Sequence, residues 1–553
     1  MLSWSNSSPV KDLPVFERSE GVYLYDSNGK RYLDWTSQAV CVNLGYTVPE
    51  SIKDRAEFGS EKSVLASLEG PYGAQDPGAQ GESGYGGLGL APVRAKLARL
   101  MAEICPGDLN GFLFPSGGGE ANEAAIRMAR LYTGKQKIFT QYRSYHGGST
   151  SSLGATGDFR RRFTESNTHG FVKFFNPQPS GFSWGSTDQS ATRRTLATLE
   201  DQILAEGPDT IAAIMVESRE LGESEMDCFG VDCGSSIVGA GGVLVPPEGY
   251  IEGVRSLCDK YDILMICDEV MVGFGRTGHF FAFQHFEGVI PDMVTSAKGL
   301  TGSYLPLSMV GVRQKIKNYF WEKPVGWGAT YHAHPVAVAC AYETVKYMLK
   351  EKIVEKVQSL EHVMMQELQN LVLKHDSVRQ ARNVGLFGCL DLQNPNGHFI
   401  QRLGGASPPE VQLLRQAMRD QGLMALFRPP LLHCAPPLVI QARRGAHCGE
   451  LRSLRCAVLL VWRDPTSRAI FLAYNLGWCY LESVPMVLFV FRVIWSDLRC
   501  QSASLLWEFK HLNFMRCTRI IRWASNRLPY TTWGSRVDTP CNDYLDFSGS
   551  QIV

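Results

Sequence analysis

Met293-Val-Thr-Ser-Ala-Lys-Gly-Leu-Thr-Gly302, preceded in the chain by Cys267-Asp-Glu-Val-Met-Val-Gly-Phe-Gly-Arg276, decides how the fold is read. Each stretch is led by a short apolar run with the character of a buried strand, and each run ends at a charged residue. Ile263-Leu-Met-Ile-Cys267 delivers Asp268 and Glu269, and the run around Met293 and Val294 delivers Lys298. A carboxylate and a primary amine at the ends of buried strands are costly unless a pocket needs them.

The neighbouring sequence extends the pattern in both directions. Ile211-Ala-Ala-Ile-Met-Val216 is a fully apolar strand ending at Glu217, and a helical stripe of Tyr250, Val254, Leu257, Cys258 and Tyr261 leads into the Asp268 strand. Upstream, Val93, Leu97, Leu100, Met101 and Ile104 share one helical face, Gly111-Phe-Leu-Phe114 reads as a short strand, and Ala121, Ala125, Met128, Ala129 and Tyr132 form another stripe. Strands without alternation, separated by amphipathic helices, predict a mostly parallel sheet covered on both faces. Ligands bind such sheets at the carboxyl ends of the strands, where Glu217, Asp268 and Lys298 fall. Residues 15–46 read differently, as a small β-rich segment: Gly21-Val-Tyr-Leu-Tyr25 alternates, Asp26-Ser-Asn-Gly29 turns, and Arg31-Tyr-Leu-Asp-Trp35 follows.

Pro115-Ser-Gly-Gly-Gly-Glu-Ala-Asn-Glu123 supplies backbone N–H donors unobstructed by side chains at a helix start, the chemistry a phosphate requires. A pyridoxal phosphate site needs this loop together with Lys298 and Asp268. The amine forms a Schiff base with the aldehyde, and the carboxylate keeps the pyridine nitrogen protonated so that the ring acts as an electron sink. The competing reading is a buried Lys–Asp ion pair in an ordinary α/β core.

Asp268-Glu-Val-Met-Val-Gly-Phe-Gly-Arg-Thr-Gly278 followed by Ser296-Ala-Lys-Gly-Leu300 resembles the signature of the class III (omega) aminotransferases, pyridoxal-phosphate enzymes of fold type I. The resemblance covers roughly residues 15–440. It implies an α/β fold: a large domain with a mostly parallel central sheet, and a smaller α+β domain from the N- and C-terminal parts. The expected division is 1–52 and 327–440 for the small domain and 53–326 for the cofactor-binding domain. Lys298 and Asp268 are then the expected catalytic pair. Gly118 and Gly119 match the family's phosphate cup, with Gly119 where Ser, Thr or Ala is usual. Tyr142-Arg-Ser-Tyr-His-Gly147 resembles the aromatic-His-Gly segment, which assigns ring stacking to Tyr145 and places His146 beside it. Val270 is expected on the opposite ring face and Glu217 near the cofactor's phenolic oxygen or the substrate. Trp327-Gly-Ala-Thr-Tyr-His-Ala-His-Pro335 matches the segment whose threonine, here Thr330, reaches the phosphate of the other subunit, so a homodimer is expected.

The same resemblance implies an aminotransferase moving an amino group from an amine or ω-amino acid to an oxo acid. Ser37-Gln-Ala-Val-Cys-Val-Asn-Leu-Gly-Tyr46 resembles the substrate-lining segment of ω-amino acid and amine:pyruvate transaminases, which points to pyruvate and places Val40 at the substrate. Arg428, in Phe427-Arg-Pro-Pro-Leu-Leu-His-Cys-Ala-Pro-Pro437, is the expected partner of a substrate carboxylate, against the alternative of a solvated surface arginine. A class III decarboxylase or isomerase uses the same machinery. The H-x-H of His332 and His334 invites a metal reading, but Lys298 precedes the pair and no further histidine set follows as an amidohydrolase would require; no metal is expected.

Bulk composition constrains partners and compartment. Lysine plus arginine and aspartate plus glutamate both number 55, so nothing favours nucleic acid or an acidic membrane surface. Met1-Leu-Ser-Trp-Ser-Asn lacks the basic start and apolar core of a secretory signal, the longest apolar run is Val484–Phe491, and fifteen cysteines include no C-x-x-C. These features predict a cytoplasmic protein with reduced thiols and no membrane span. Three stretches depart from the pattern: 58–83, rich in Gly, Ser and Gln; 219–236, interrupting a run that resumes at Ile237; and 441–553. The last holds six of eleven tryptophans and thirteen arginines against one lysine. It replaces the acidic helix with which the family closes its small domain. Segments 219–236 and 441–553 therefore read as translated non-coding sequence, and the second functional reading is an inactive chain that these segments prevent from folding.

Overall fold

The computed structural model describes residues 14–56, 92–163, 169–176, 189–217, 242–243, 247–393 and 409–441. The chain divides into two units, Met1–Trp462 and Arg463–Val553, and every described residue lies in the first. The three atypical stretches lie outside the described residues.

Three strands open the chain: β1 (Phe16–Glu20), β2 (Tyr23–Asp26) and β3 (Arg31–Asp34) form an antiparallel meander. The central sheet follows, from β4 (Leu109–Leu113), β5 (Lys137–Gln141), β6 (Phe171–Phe174), β7 (Ile211–Val216), β8 (Leu264–Asp268), β9 (Met293–Ser296) and β10 (Met309–Arg313). Its seven strands lie in the order β4-β10-β9-β8-β7-β5-β6. The pairs β6/β5, β5/β7, β7/β8 and β8/β9 are parallel; β10 is antiparallel to both β9 and β4. The mostly parallel α/β fold is therefore present, with one reversed strand.

The apolar runs lack alternation because helices cover both faces. On β7, Ala213 and Met215 join Ile266, Met293 and Val310 in a cluster with Ala121, Ala125 and Met128 of the helix Gly118–Thr133. The alternate residues Ile214 and Val216 join Met265, Cys267, Val294 and Val254 in the main core on the other face. Each large side chain buried this way contributes about 1.5–3 kcal/mol.

A third sheet, of order β11-β12-β15-β14, comes from β11 (Val378–Val384), β12 (Phe387–Leu392), β14 (Phe427–Arg428) and β15 (Leu431–Cys434). Between them, β13 (Leu423–Met424) pairs in parallel with β3, so the two ends of the described chain share a sheet. Among the described residues no helix is long and apolar enough to cross a membrane.

Candidate active site

Strand β8 ends at Asp268, whose carboxylate is buried and fully engaged. Its Oδ2 accepts from Asn122 Nδ2 at 2.8 Å and faces His146 Nδ1 at 2.7 Å, while Oδ1 accepts the Val270 N–H at 3.0 Å. Asn122 also donates to the His146 carbonyl at 2.7 Å and accepts from Thr295 Oγ1 on β9 at 2.6 Å. Asp268, His146, Asn122 and Thr295 thus form one buried network joining β8, β9, the helix Gly118–Thr133 and the Tyr145–Gly147 loop. His146 Nε2 is buried without a hydrogen-bond partner among the described residues. Glu269 belongs elsewhere: it accepts the N–H groups of Ala282 at 2.8 Å and Phe283 at 2.9 Å, capping the short helix Ala282–His285. Of the two adjacent carboxylates, only Asp268 belongs to the pocket.

Lys298 starts the short 3-10 turn that follows β9, with φ of 34°. A residue with a side chain seldom holds this backbone conformation, and it persists only where the surroundings impose it. Here Gly299 imposes it: a Cβ on Gly299 would lie 2.5 Å from Asn43 Nδ2 and 2.7 Å from Phe274 Cβ. Asn43 is fixed in turn by Phe274 O at 3.0 Å and by the buried guanidinium of Arg276 at 3.0 Å. Burial lowers the Lys298 ammonium's pKa to about 8, with the Arg428 charge acting in the same direction and Cys41, Asp268 and Glu217 opposing it.

The helix Gly118–Thr133 starts after Gly117, which is extended and provides no side-chain cap. First-turn N–H groups are therefore left for an anion. A Cβ on Gly118 would lie 2.6 Å from Val270 Cγ1, so this glycine lets the helix start sit directly against the residue two beyond Asp268. Gly119 approaches Gly147, whose own Cβ would lie 2.9 Å from the Gly119 Cα. A helix start for a phosphate, a buried carboxylate for a protonated ring nitrogen and a poorly hydrated amine for an aldehyde fit pyridoxal 5′-phosphate.

The remaining expected residues divide. Glu217, at the end of β7, accepts the Tyr145 N–H at 2.9 Å, bringing the ring-stacking candidate beside the β7 and β8 ends. Arg428, half-buried on β14, joins the same electrostatic neighbourhood. Burial and then the Arg160 charge lower its pKa to about 10, against Asp158, Tyr145 and Glu217. A solvated surface arginine does not fit this environment. Val40, expected to line substrate, is 1% exposed in an apolar cluster with Val243, Phe387 and Leu431. Its partly exposed neighbour Cys41 is the residue whose charge reaches Lys298. Thr330 is exposed in the isolated chain, as is the whole run Gly328–Tyr331. His332 stacks on Trp327 and lies 3.4 Å from Glu120 Oε2.

Sequence reasoning missed Asn122, Thr295 and Arg160. Asn122 carried a usable signal, since it follows Gly118 by four positions and so lies on the same helical face. Thr295 sits three residues before Lys298 with nothing in its own neighbourhood to mark it. Arg160 stands in the run Phe159-Arg-Arg-Arg-Phe163, where one arginine among three cannot be singled out.

Comparison with known proteins follows this geometry. The family description "Aminotransferase class-III" matches residues 87–228 and 234–451. A putrescine–pyruvate aminotransferase of Pseudomonas aeruginosa is 31% identical over 448 residues, 78% of this chain and 87% of that protein. A taurine–pyruvate aminotransferase of Bilophila wadsworthia is 30% identical over 392 residues, 68% of this chain and 77% of its own. Among solved structures, a taurine:2-oxoglutarate aminotransferase from Bifidobacterium kashiwanohense, in complex with pyridoxal phosphate and glutamate, superposes with a TM-score of 0.70. It is 35% identical and the match covers 83% of this chain and 94% of that one.

Proposed function

The chain belongs to the class III aminotransferases, pyridoxal-phosphate-dependent enzymes, and from that premise we propose that it moves the amino group of an amine or ω-amino acid to pyruvate, with Lys298 as the residue that holds the cofactor covalently. The observation that carries this reading is the Lys298 amine: a strained, poorly hydrated lysine, with a pKa of about 8, at the end of the strand beside Asp268.

When bound, the cofactor supplies a protonated ring that accepts the negative charge developing at the donor carbon. Asp268 holds the proton on the ring nitrogen, and Asn122, His146 and the Val270 N–H hold Asp268 in place. The N–H groups around Gly118 and Gly119 bind the phosphate. Tyr145 and Val270 enclose the ring from its two faces and exclude water, with Glu217 fixing the Tyr145 backbone. Lys298, neutral in a useful fraction near pH 8, takes the proton from the donor's Cα and returns it at the cofactor's C4′ position. Arg428 binds the oxo acid carboxylate through a planar fork, and Val40 backs this wall from its apolar cluster. Thr330, exposed on one chain, completes the phosphate contacts of a second copy in a homodimer. The named donors of the relatives, putrescine and taurine, bracket the amine class without choosing within it.

Borohydride reduction of the cofactor-loaded protein followed by peptide mapping should place the label on Lys298. Label on a different lysine would sink the assignment. Lys298→Ala should keep cofactor through the phosphate contacts and lose turnover by several orders of magnitude, because both cofactor attachment and proton transfer depend on the amine.

A further inference from the structure

Arg160 is held in a way that the reaction above does not use. Asp158 Oδ2 accepts its Nε at 2.8 Å and also its Nη2, and Asp158 Oδ1 accepts the Arg160 backbone N–H at 2.9 Å. The guanidinium carbon sits 3.5 Å over the centroid of the Tyr145 ring. An ion pair on one edge and an aromatic face below fix the group in place and desolvate it, although its side chain keeps 14% exposure. The pairing engages Nε and Nη2 and leaves Nη1 outside it. Tyr145 is joined to Glu217 through its backbone, so Arg160 faces the pocket of Lys298 and Arg428 and not the bulk surface.

We propose that Arg160 is a specificity-determining residue of the donor pocket, selecting amino donors whose far end carries an anion, a carboxylate or sulfonate, over diamines. The inference rests on the aminotransferase reading and deepens it. Two guanidinium groups bias one pocket in the same direction: Arg160 is the strongest charged neighbour felt by Arg428, ahead of the carboxylate of Asp158. Among the described residues Arg428 has no ion-pair partner of its own. An anion between the two cations relieves their repulsion, and a second ammonium adds to it. Because Asp158 and Tyr145 fix Arg160, little side-chain freedom is lost when the anion arrives.

Matched four-carbon donors test this in the cofactor-loaded protein with pyruvate as acceptor: 4-aminobutyrate, butylamine and 1,4-diaminobutane. The expected order of kcat/KM is anion, then neutral, then cation, with about tenfold between the first two. Arg160→Gln should collapse that gap chiefly through KM, and Arg160→Lys, which keeps the charge, should restore much of it. A purely structural role would lower all three donors alike, and such a parallel loss overturns the proposal, as does a wild-type preference for the diamine. Calorimetric titration with succinate supplies a readout without turnover: the wild type should bind it about fivefold or more tighter than Arg160→Gln, and equal affinities refute the subsite. If no donor is consumed while the succinate difference persists, the aminotransferase reading falls and the anion subsite stands.

Discussion

Replacing Lys298 by methionine should make the cofactor-free protein more stable at neutral pH. The lysine's pKa falls from its ordinary 10.5 to about 8 in the fold. That difference corresponds to ~3 kcal/mol spent keeping the ammonium charged in the fold, at about 1.4 kcal/mol per tenfold change in proton affinity. Residual exposure of the side chain screens part of this, so a gain of ~1–3 kcal/mol is expected for Lys298→Met. Methionine fills similar space, is unbranched and adapts to irregular packing.

The sign follows from proton binding. Below about pH 8 the lysine is protonated in both folded and unfolded chains, and the fold bears the whole cost. Between about 8 and 10.5 the folded lysine loses its proton while the unfolded one keeps it, so the wild type gains stability as pH rises. Above that window the advantage of Lys298→Met is gone. Urea unfolding of both cofactor-free proteins at pH 7.0 and in the upper part of the window measures it. A variant less stable than wild type at pH 7.0, or an advantage that does not shrink with pH, would refute the reasoning.

Two further substitutions probe the frame around the amine. Asn122→Ala should cost about 1–3 kcal/mol by leaving Asp268, the His146 carbonyl and Thr295 short of a partner; it should also lower kcat more than it raises KM, because Asp268 loses its orientation, and a variant with wild-type stability and rate would remove Asn122 from the network. Gly299→Ala should destabilise by about 1–3 kcal/mol through overpacking against Asn43 and Phe274, checked by thermal melting, with the companion variant Asn43→Ala expected to relieve much of the clash.

What was legible in the sequence was local. Lys298, Asp268 and Gly118 each sit where a short apolar run meets a charge or a glycine turn, and such junctions need no knowledge of distant residues. Glu269 was misread because adjacency in sequence was taken as adjacency in space. Successive side chains of a strand point to opposite faces, so of two consecutive carboxylates one enters the pocket and the other meets the helix Ala282–His285. Pairing partners were beyond reach: β3 and β13 are joined through Leu33 and Leu423, and a strand of two residues has no period to read. The reversed direction of β10 leaves no mark in composition either, since its run Met309-Val-Gly-Val-Arg313 is as apolar as its parallel neighbours.

Backbone strain around the site is unevenly distributed. Ser37, Gln38 and Val40 hold φ of 47°, 58° and 58°, and Lys298 holds 34°, all without glycine's freedom. Arg276 ties the first segment down: it donates to Ser37 Oγ at 3.3 Å and Asn43 Oδ1 at 3.0 Å, and to the carbonyls of Leu386 and Pro436. Burial costs this guanidinium enough to lower its pKa to about 9. A fully buried arginine and four strained residues, each with a cost of its own, therefore converge on one small volume next to the amine. Individually such features are tolerated only when the surroundings over-determine them, and here they share the same braces, Asn43 and the 37–43 turn. The arrangement is explained if the fold gives up stability to hold the Lys298 amine in one orientation, with Cys41 alongside it. Relaxing a brace should then raise stability less than it harms the positioning of that amine, which is why the energetic cost has settled here and not in the fully apolar β7.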